Sequence, residues 1–163
     1  MADLTKLEAK LGEVTGLAMA AQAATKKVET LDGIEDVHRR RLQEMRAQAE
    51  ETEKRCTELA GTFDGKKTAI LEEASATKAK GAEMMGVYLD ADSEALDGFE
   101  FLTMAEAGEV GHWKVLQTLA SSGSYPEVND LASWAIPIQE NHFSIVQKTS
   151  AELAAEESPD DPA

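Results

Sequence analysis

Apolar and small side chains recur in steps of three and four at Leu4, Leu7, Leu11, Val14, Ala18, Ala21, Thr25 and Val28, a spacing that predicts one amphipathic helix over about residues 3–31. "LDG" closes it, with Gly33 suited to a left-handed cap. A second stripe runs through Ile34, His38, Leu42, Met45, Ala49, Thr52, Cys56, Leu59 and Phe63, and ends at "FDG". It is long enough to fold back antiparallel on the first. From Lys66 to Leu89 a weaker pattern holds Ile70, Ala74, Thr77, Gly81, Met84, Met85 and Tyr88. Its glycines and polar residues leave two roles open, a packed fifth helix or a crossover.

Asp92 or Ser93 then offers an N-cap for a fourth helix, with a stripe at Leu102, Ala105, Glu109, His112, Leu116 and Leu119. After "SSGSYP", Pro126 suits the first turn of a last helix that carries Val128, Leu131, Ala135, Ile138, His142, Ile145 and Thr149 on one face. Pro137 lacks a backbone donor and is expected to kink it. The expected organisation is one helical domain over residues 1–155, followed by an acidic, disordered tail over 156–163.

Composition sharpens this picture. With 163 residues, 42% hydrophobic content and only 5% aromatic residues, the chain can close one core, and its wealth of alanine, leucine, glutamate and lysine favours helices over sheet. The expected fold class is all-α. A net charge of −15 repels phosphate backbones and excludes nucleic acid as an expected partner, the run Arg39 to Arg41 reading as a solvated face. No apolar run approaches the ~20 residues of a membrane span, and "MADLTKLEAK" lacks a signal peptide's apolar core. A soluble, cytoplasmic protein without a membrane partner is expected. The lone Cys56 can form no internal disulfide and reads as a small buried hydrophobe.

The polar residues within the stripes carry the candidate chemistry. Glu109 and His112 fall in the fourth stripe and His142 in the fifth, with Gln139 one turn before it and Glu140 toward a flank. A carboxylate buried without a partner would cost several kcal/mol, so something must satisfy these groups. Both clusters lie midway along their helices, and an antiparallel hairpin brings them level. Converging carboxylates and imidazoles are the ligand set for iron, manganese or zinc. A metal-free cluster, with each imidazole bonded to a carboxylate or a backbone carbonyl, explains the same pattern. A second Glu-x-x-His, Glu35 to His38, lies beside the "LDG" turn and reads as a solvated helix start. Met45, Met84, Met85 and Met104 read as core fillers. "DADSE" at 90–94 is no calcium loop, because Ala95 stands where such a loop needs glycine and no glutamate follows at its twelfth position.

A helical pair, a long connection, and a second pair bearing "EVGHW" and "PIQENHF" resembles the ferritin-like superfamily, and within it the small bacterial stress-induced ferritin-like proteins. The resemblance is strongest over residues 93–153 and weaker in "QAEETEKRCTEL" at 48–59. It implies an antiparallel four-helix bundle with an additional connecting helix. It also implies a two-metal centre built from one glutamate on each of two helices and Glu-x-x-His on the other two. Glu109 matches a single-glutamate position and His142 the histidine of a Glu-x-x-His, but Gln139 stands where that motif has glutamate. The first pair offers only Gln22 and Gln48 on its flanks at the corresponding height. These departures argue against a complete di-iron ferroxidase and for at most one ion, held by Glu109, His112 and His142 with Gln139 and Glu140.

Two functions remain on this reading. One is a degenerate carboxylate/histidine metal site serving metal or oxidative-stress handling. The other is a metal-free helical module for interaction or oligomerisation, and a homo-oligomer is the expected assembly. An enzyme using His112 and Glu109 as base and acid lacks any accompanying nucleophile or glycine-rich loop.

Overall fold

A computed structural model describes residues 3–163, so the first two residues of the expected domain and of the N-terminal reading lie outside the described residues. Five helices follow in order: α1 (Lys6–Val28), α2 (Asp36–Ala60), α3 (Lys67–Tyr88), α4 (Ala95–Ser122) and α5 (Pro126–Ala154). Among the described residues there is no strand, only an isolated bridge between Asp32 and Glu94. The fold is all-α. No helix is long and apolar enough to cross a membrane.

Helix starts are encoded locally. Thr5 accepts a bond from the Glu8 amide at 3.2 Å while the Glu8 carboxylate accepts from the Thr5 amide at 2.8 Å, a reciprocal cap that satisfies two otherwise orphaned donors. At the start of α2, the Glu35 amide donates to His38 Nδ1 at 3.1 Å. His38 thus caps its helix, but it is buried against Phe99, with ring centroids 5.8 Å apart, and is not solvated. Gly33 and Gly65 adopt φ of +82° and +68° in the two turns expected to need them.

Contacts fix the directions. Glu29 meets Arg46 and Gln22 meets Glu53, so α1 and α2 are antiparallel. Thr103 meets Ser150 and Gln117 meets Ser133, so α4 and α5 are antiparallel. The guanidinium of Arg41 reaches Thr149 and Glu152 at 2.9 and 2.7 Å, and Arg55 lies 4.1 Å over the Trp134 ring, which pairs α2 antiparallel with α5. Lys10 near His112 and Val28 near Gly98 close the ring between α1 and α4. On the solvated face expected for this run, Arg39 and Arg41 pair with Asp36 and Glu152 respectively, and Arg40 is exposed.

The weakly patterned segment is a packed helix. Because α3 carries the chain back along α1, α2 and α4 run in the same direction. It lies parallel to α1, where Cβ atoms added to Gly12 or Gly16 would stand 2.7 Å from the Ile70 carbonyl oxygen and 2.3 Å from that of Ala74. One added to Gly81 would stand 2.8 Å from the Ala20 Cβ. Small residues thus let the two backbones touch. By contrast α3 makes little contact with α4. Met84 is 45% exposed there and Met104 on α4 is 37% exposed, so neither fills the core, unlike Met45.

The buried faces of α1 and α2 follow the expected stripes closely. On α4 the face is shifted by one residue in part of its length, to Phe99, Leu102, Glu106, Glu109, Trp113, Leu116 and Ala120. On α5 it runs Val128, Ala132, Ala135, Gln139, His142, Val146, Thr149 and Leu153. α5 stays one continuous helix through Pro137, which sits on the exposed side where the unbonded carbonyl it creates can face water. Residues 156–163 are exposed and lie beyond the last helix.

The glycine contact can be tested by urea unfolding. Gly16→Ala drives a methyl into backbone and should lower stability by about 1–3 kcal/mol. Gly111→Ala, where nothing lies within 4 Å of the new Cβ, should raise it by up to ~1 kcal/mol.

Candidate functional site: a polar belt across the core

The hydrophobic interior is divided in two. One cluster gathers Leu11, Val14, Cys56, Trp113, Leu116 and Ala132 toward one end, the other Val28, Leu42, Met45, Phe99, Leu102 and Val146 toward the opposite end. Between them lies a belt of polar side chains. α4 supplies Glu106 and Glu109, and α5 supplies Gln139 and His142. Each pair is separated by three residues and so points the same way from its helix. The four are 1%, 3%, 1% and 1% exposed. From α2 comes Gln48, whose Oε1 lies 2.5 Å from His142 Nε2.

With the Gln48 oxygen turned toward it, Nε2 donates in the tautomer that leaves a lone pair on Nδ1. Nδ1 stands 3.7 Å from Glu106 Oε2, too far for a hydrogen bond. Burial pushes the Glu109 carboxyl well above the usual carboxylate range, and the nearby Glu106 charge adds to the effect. Its protonated form is thereby favoured over its charged form. Four atoms of the belt and its border have no hydrogen-bond partner: Glu106 Oε2, Glu109 Oε2, Gln139 Oε1 and Trp113 Nε1. Three of these are oxygens. Buried oxygens of this kind normally find a donor, so three without one in the same layer of the core are an unmet demand for a proton or positive charge.

The five residues expected at a site divide between interior and surface. Glu109, Gln139 and His142 are interior. His112 turns outward, its side chain 42% exposed and its Nδ1 within 3.1 Å of Glu13 and 3.2 Å of Lys10. Glu140 is half exposed and pairs with Lys114 at 2.8 Å. The residue that sequence reasoning missed is Glu106, which was signalled by the alternating steps from Phe99 to Ala120 that also bury Trp113. Gln48, placed by the sequence on a flank at this height, reaches inward to His142. Among the described residues no three His, Cys, Asp or Glu side chains stand close enough to hold a metal ion by themselves. Two amides complete what converges here.

Above the belt, Cys56 is fully buried, and burial pushes its thiol up to about 12 against the opposing contact of the Thr15 hydroxyl, with the Glu53 and Glu109 carboxylates adding to the rise. Such a thiol is inert.

Beside the belt a cavity of about 220 Å³ opens between α1, α3 and α4, and Glu106 and Glu109 line it. Compared with family models, curated proteins and solved structures, the chain matches none.

Two measurements test the belt. Because the Glu109 pKa is raised in the folded state, the stability it contributes is complete below about 4.5 and is lost as pH rises through the folded value. Urea titrations should therefore show Glu109→Gln gaining on the wild type as pH climbs from 4.5 to 8. Thiol labelling of Cys56 by an aromatic disulfide should be undetectable in native buffer and complete in denaturant. Rapid native labelling would contradict the burial described.

Proposed function

We propose that the chain is a ferritin-like four-helix bundle in which α3 is the additional connecting helix, and that it holds a single divalent cation, iron, manganese or zinc, at a degenerate carboxylate/histidine site. The helix order supports this reading: two antiparallel hairpins, α1–α2 and α4–α5, are joined by a crossover the length of the bundle. Glu106, Glu109 and the Nδ1 of His142, which do not group closely enough in this structure to hold an ion by themselves, would have to close in around it, and the Gln139 and Gln48 amides would complete the surroundings. The observation that carries the proposal is the set of buried oxygens on Glu106, Glu109 and Gln139 without partners. Such hard oxygen donors with one imidazole suit a divalent first-row ion. A bound ion would supply charge stabilisation there, and metal or oxidative-stress handling is the role proposed.

A second reading, a metal-free interaction module, is favoured by a different observation. Val87 and Tyr88 at the end of α3 are 80% and 55% exposed, more apolar surface than a helix end needs, and His142 already has a partner in Gln48. Homo-oligomerisation would cover such a surface.

The test is metal analysis after stripping with chelator and reloading with manganese, zinc or anaerobic ferrous iron. About one equivalent per chain is expected, with a rise in melting temperature, since a ligand that binds only the folded state stabilises it. Glu106→Gln and His142→Ala should lose the ion, and His112→Ala should keep it. No bound metal, together with an oligomer by light scattering whose melting temperature ignores metal, would favour the second reading.

A further inference from the structure

The cavity beside the belt has a chemistry of its own. Its walls are apolar: Leu17, Ala21 and Ala24 from α1, Met85 from α3, Phe101 and Ala105 from α4. Its polar end is the pair Glu106 and Glu109, each almost fully buried, each with an Oε2 that meets no donor and lies behind the cavity wall, so that the carboxylates would have to turn to meet a head group. No lysine or arginine reaches that end, whose basic neighbours are the His142 imidazole, 3.7 Å from Glu106, and His112 on the lining. Lys78 is exposed at the rim, and Lys10 is engaged with Glu13. Met84 and Met104, both partly exposed, flank the opening where α3 stands away from α4.

We propose that this cavity binds a small organic monoammonium ion, its apolar body against the α1, α3 and α4 walls and its charged head at Glu106 and Glu109. The two ends of the cavity select the two ends of the ligand. Buried carboxylate oxygens without donors accept strongly from N⁺–H groups, and a primary ammonium supplies three. Methyl and phenyl walls cannot replace the water around a bare hydrated ion, but they gain from covering a hydrocarbon body. Size limits that body. An apolar cavity of roughly 150 Å³ admits benzene, so about 220 Å³ admits a ring of that size with a short aminoalkyl arm, or a linear amine of similar length. A polyamine fits badly, because its second charge would lie against the apolar wall. This inference shares the carboxylates with the proposed metal site but does not depend on metal binding. An ammonium head and a metal ion would exclude each other there.

Phenethylamine and hexylamine are the probes, with phenethyl alcohol and hexanol as neutral counterparts, titrated into chelator-treated full-length protein and followed by calorimetry and thermal unfolding. The amines should bind about one per chain and raise the melting temperature progressively with concentration, the alcohols binding roughly tenfold or more weakly, because a charge-assisted bond is lost. Glu106→Gln should weaken the amines toward the alcohols. Ala105→Leu, which fills the cavity and leaves both carboxylates in place, should abolish amine binding. If Ala105→Leu also retains any metal binding found in the wild type, the two ligands are separated. Equal binding of amines and alcohols would overturn the role given to the carboxylates, and no binding of either by the wild-type protein would overturn the proposal whether or not metal binds.

Discussion

Everything distinctive in this molecule follows from how closely α3 lies on α1. Gly16 presents no side chain to the Ala74 carbonyl, Gly12 none to that of Ile70, and Gly81 none to Ala20. Helices that meet backbone to backbone through small residues hold a fixed line of contact, because no long side chain can adjust between them. Being committed to α1, α3 cannot also cover α4. The uncovered flank of α4 is where Glu106 and Glu109 border a cavity instead of a sealed core. A packing decision made by three glycines thereby places the cavity next to the buried carboxylates.

The belt itself divides an interior that would otherwise be continuous. Between the cluster around Trp113 and the cluster around Phe99, four helices each place at least one polar group: Thr15 on α1, Gln48 and Thr52 on α2, Glu106 and Glu109 on α4, Gln139 and His142 on α5. The threonines are self-sufficient, bonding back to the carbonyls of Leu11 and Gln48 within their own helices. His142 is held by Gln48 across the interface between α2 and α5. Only the carboxylates and Gln139 are left unmatched, and all of them come from the α4–α5 hairpin. The half of the bundle made by α1 and α2 contributes scaffold, and the other half contributes the unsatisfied chemistry.

The five helices and the turns between them could be read from the sequence because periodicity is a local property, although α4 is capped by Glu94, whose amide donates to Asp97, and not by Asp92 or Ser93. The inward faces of α1 and α2 were equally plain, since Leu, Val and Met recur there without competition. On α4 the alternation of steps allows two phases from Leu102 onward, through Ala105 and His112 or through Glu106 and Trp113. The first buries one glutamate and the second buries two. Ordinary desolvation argues for the first, but the Trp113 ring, with far more apolar area to hide, selects the second. His112 consequently turns out to Glu13 and Lys10, and Glu106 takes its expected place inside. The partnership of α3 with α1 was harder to see, because Gly12 and Gly16 look like weak points in a helix until the partner backbone is known to fill them.

Charge balance then limits what the belt can accept. Its ionisable members are two carboxylates and one imidazole, and its amides add oxygen without adding charge. With no guest, a proton on Glu109 spares that carboxyl a buried charge first and relieves its repulsion with Glu106 second, which is the physical content of its raised pKa. A guest must do the same work as that proton. One divalent ion matches two carboxylates, and one ammonium matches a pair that keeps its proton. Two divalent ions would leave a net charge of about +2 in a dry interior, and nothing in the Gln139 and Gln48 amides could offset it. Because Gln139 is neutral, the belt holds no third carboxylate there, and its charge would match a single cationic guest of the kind proposed.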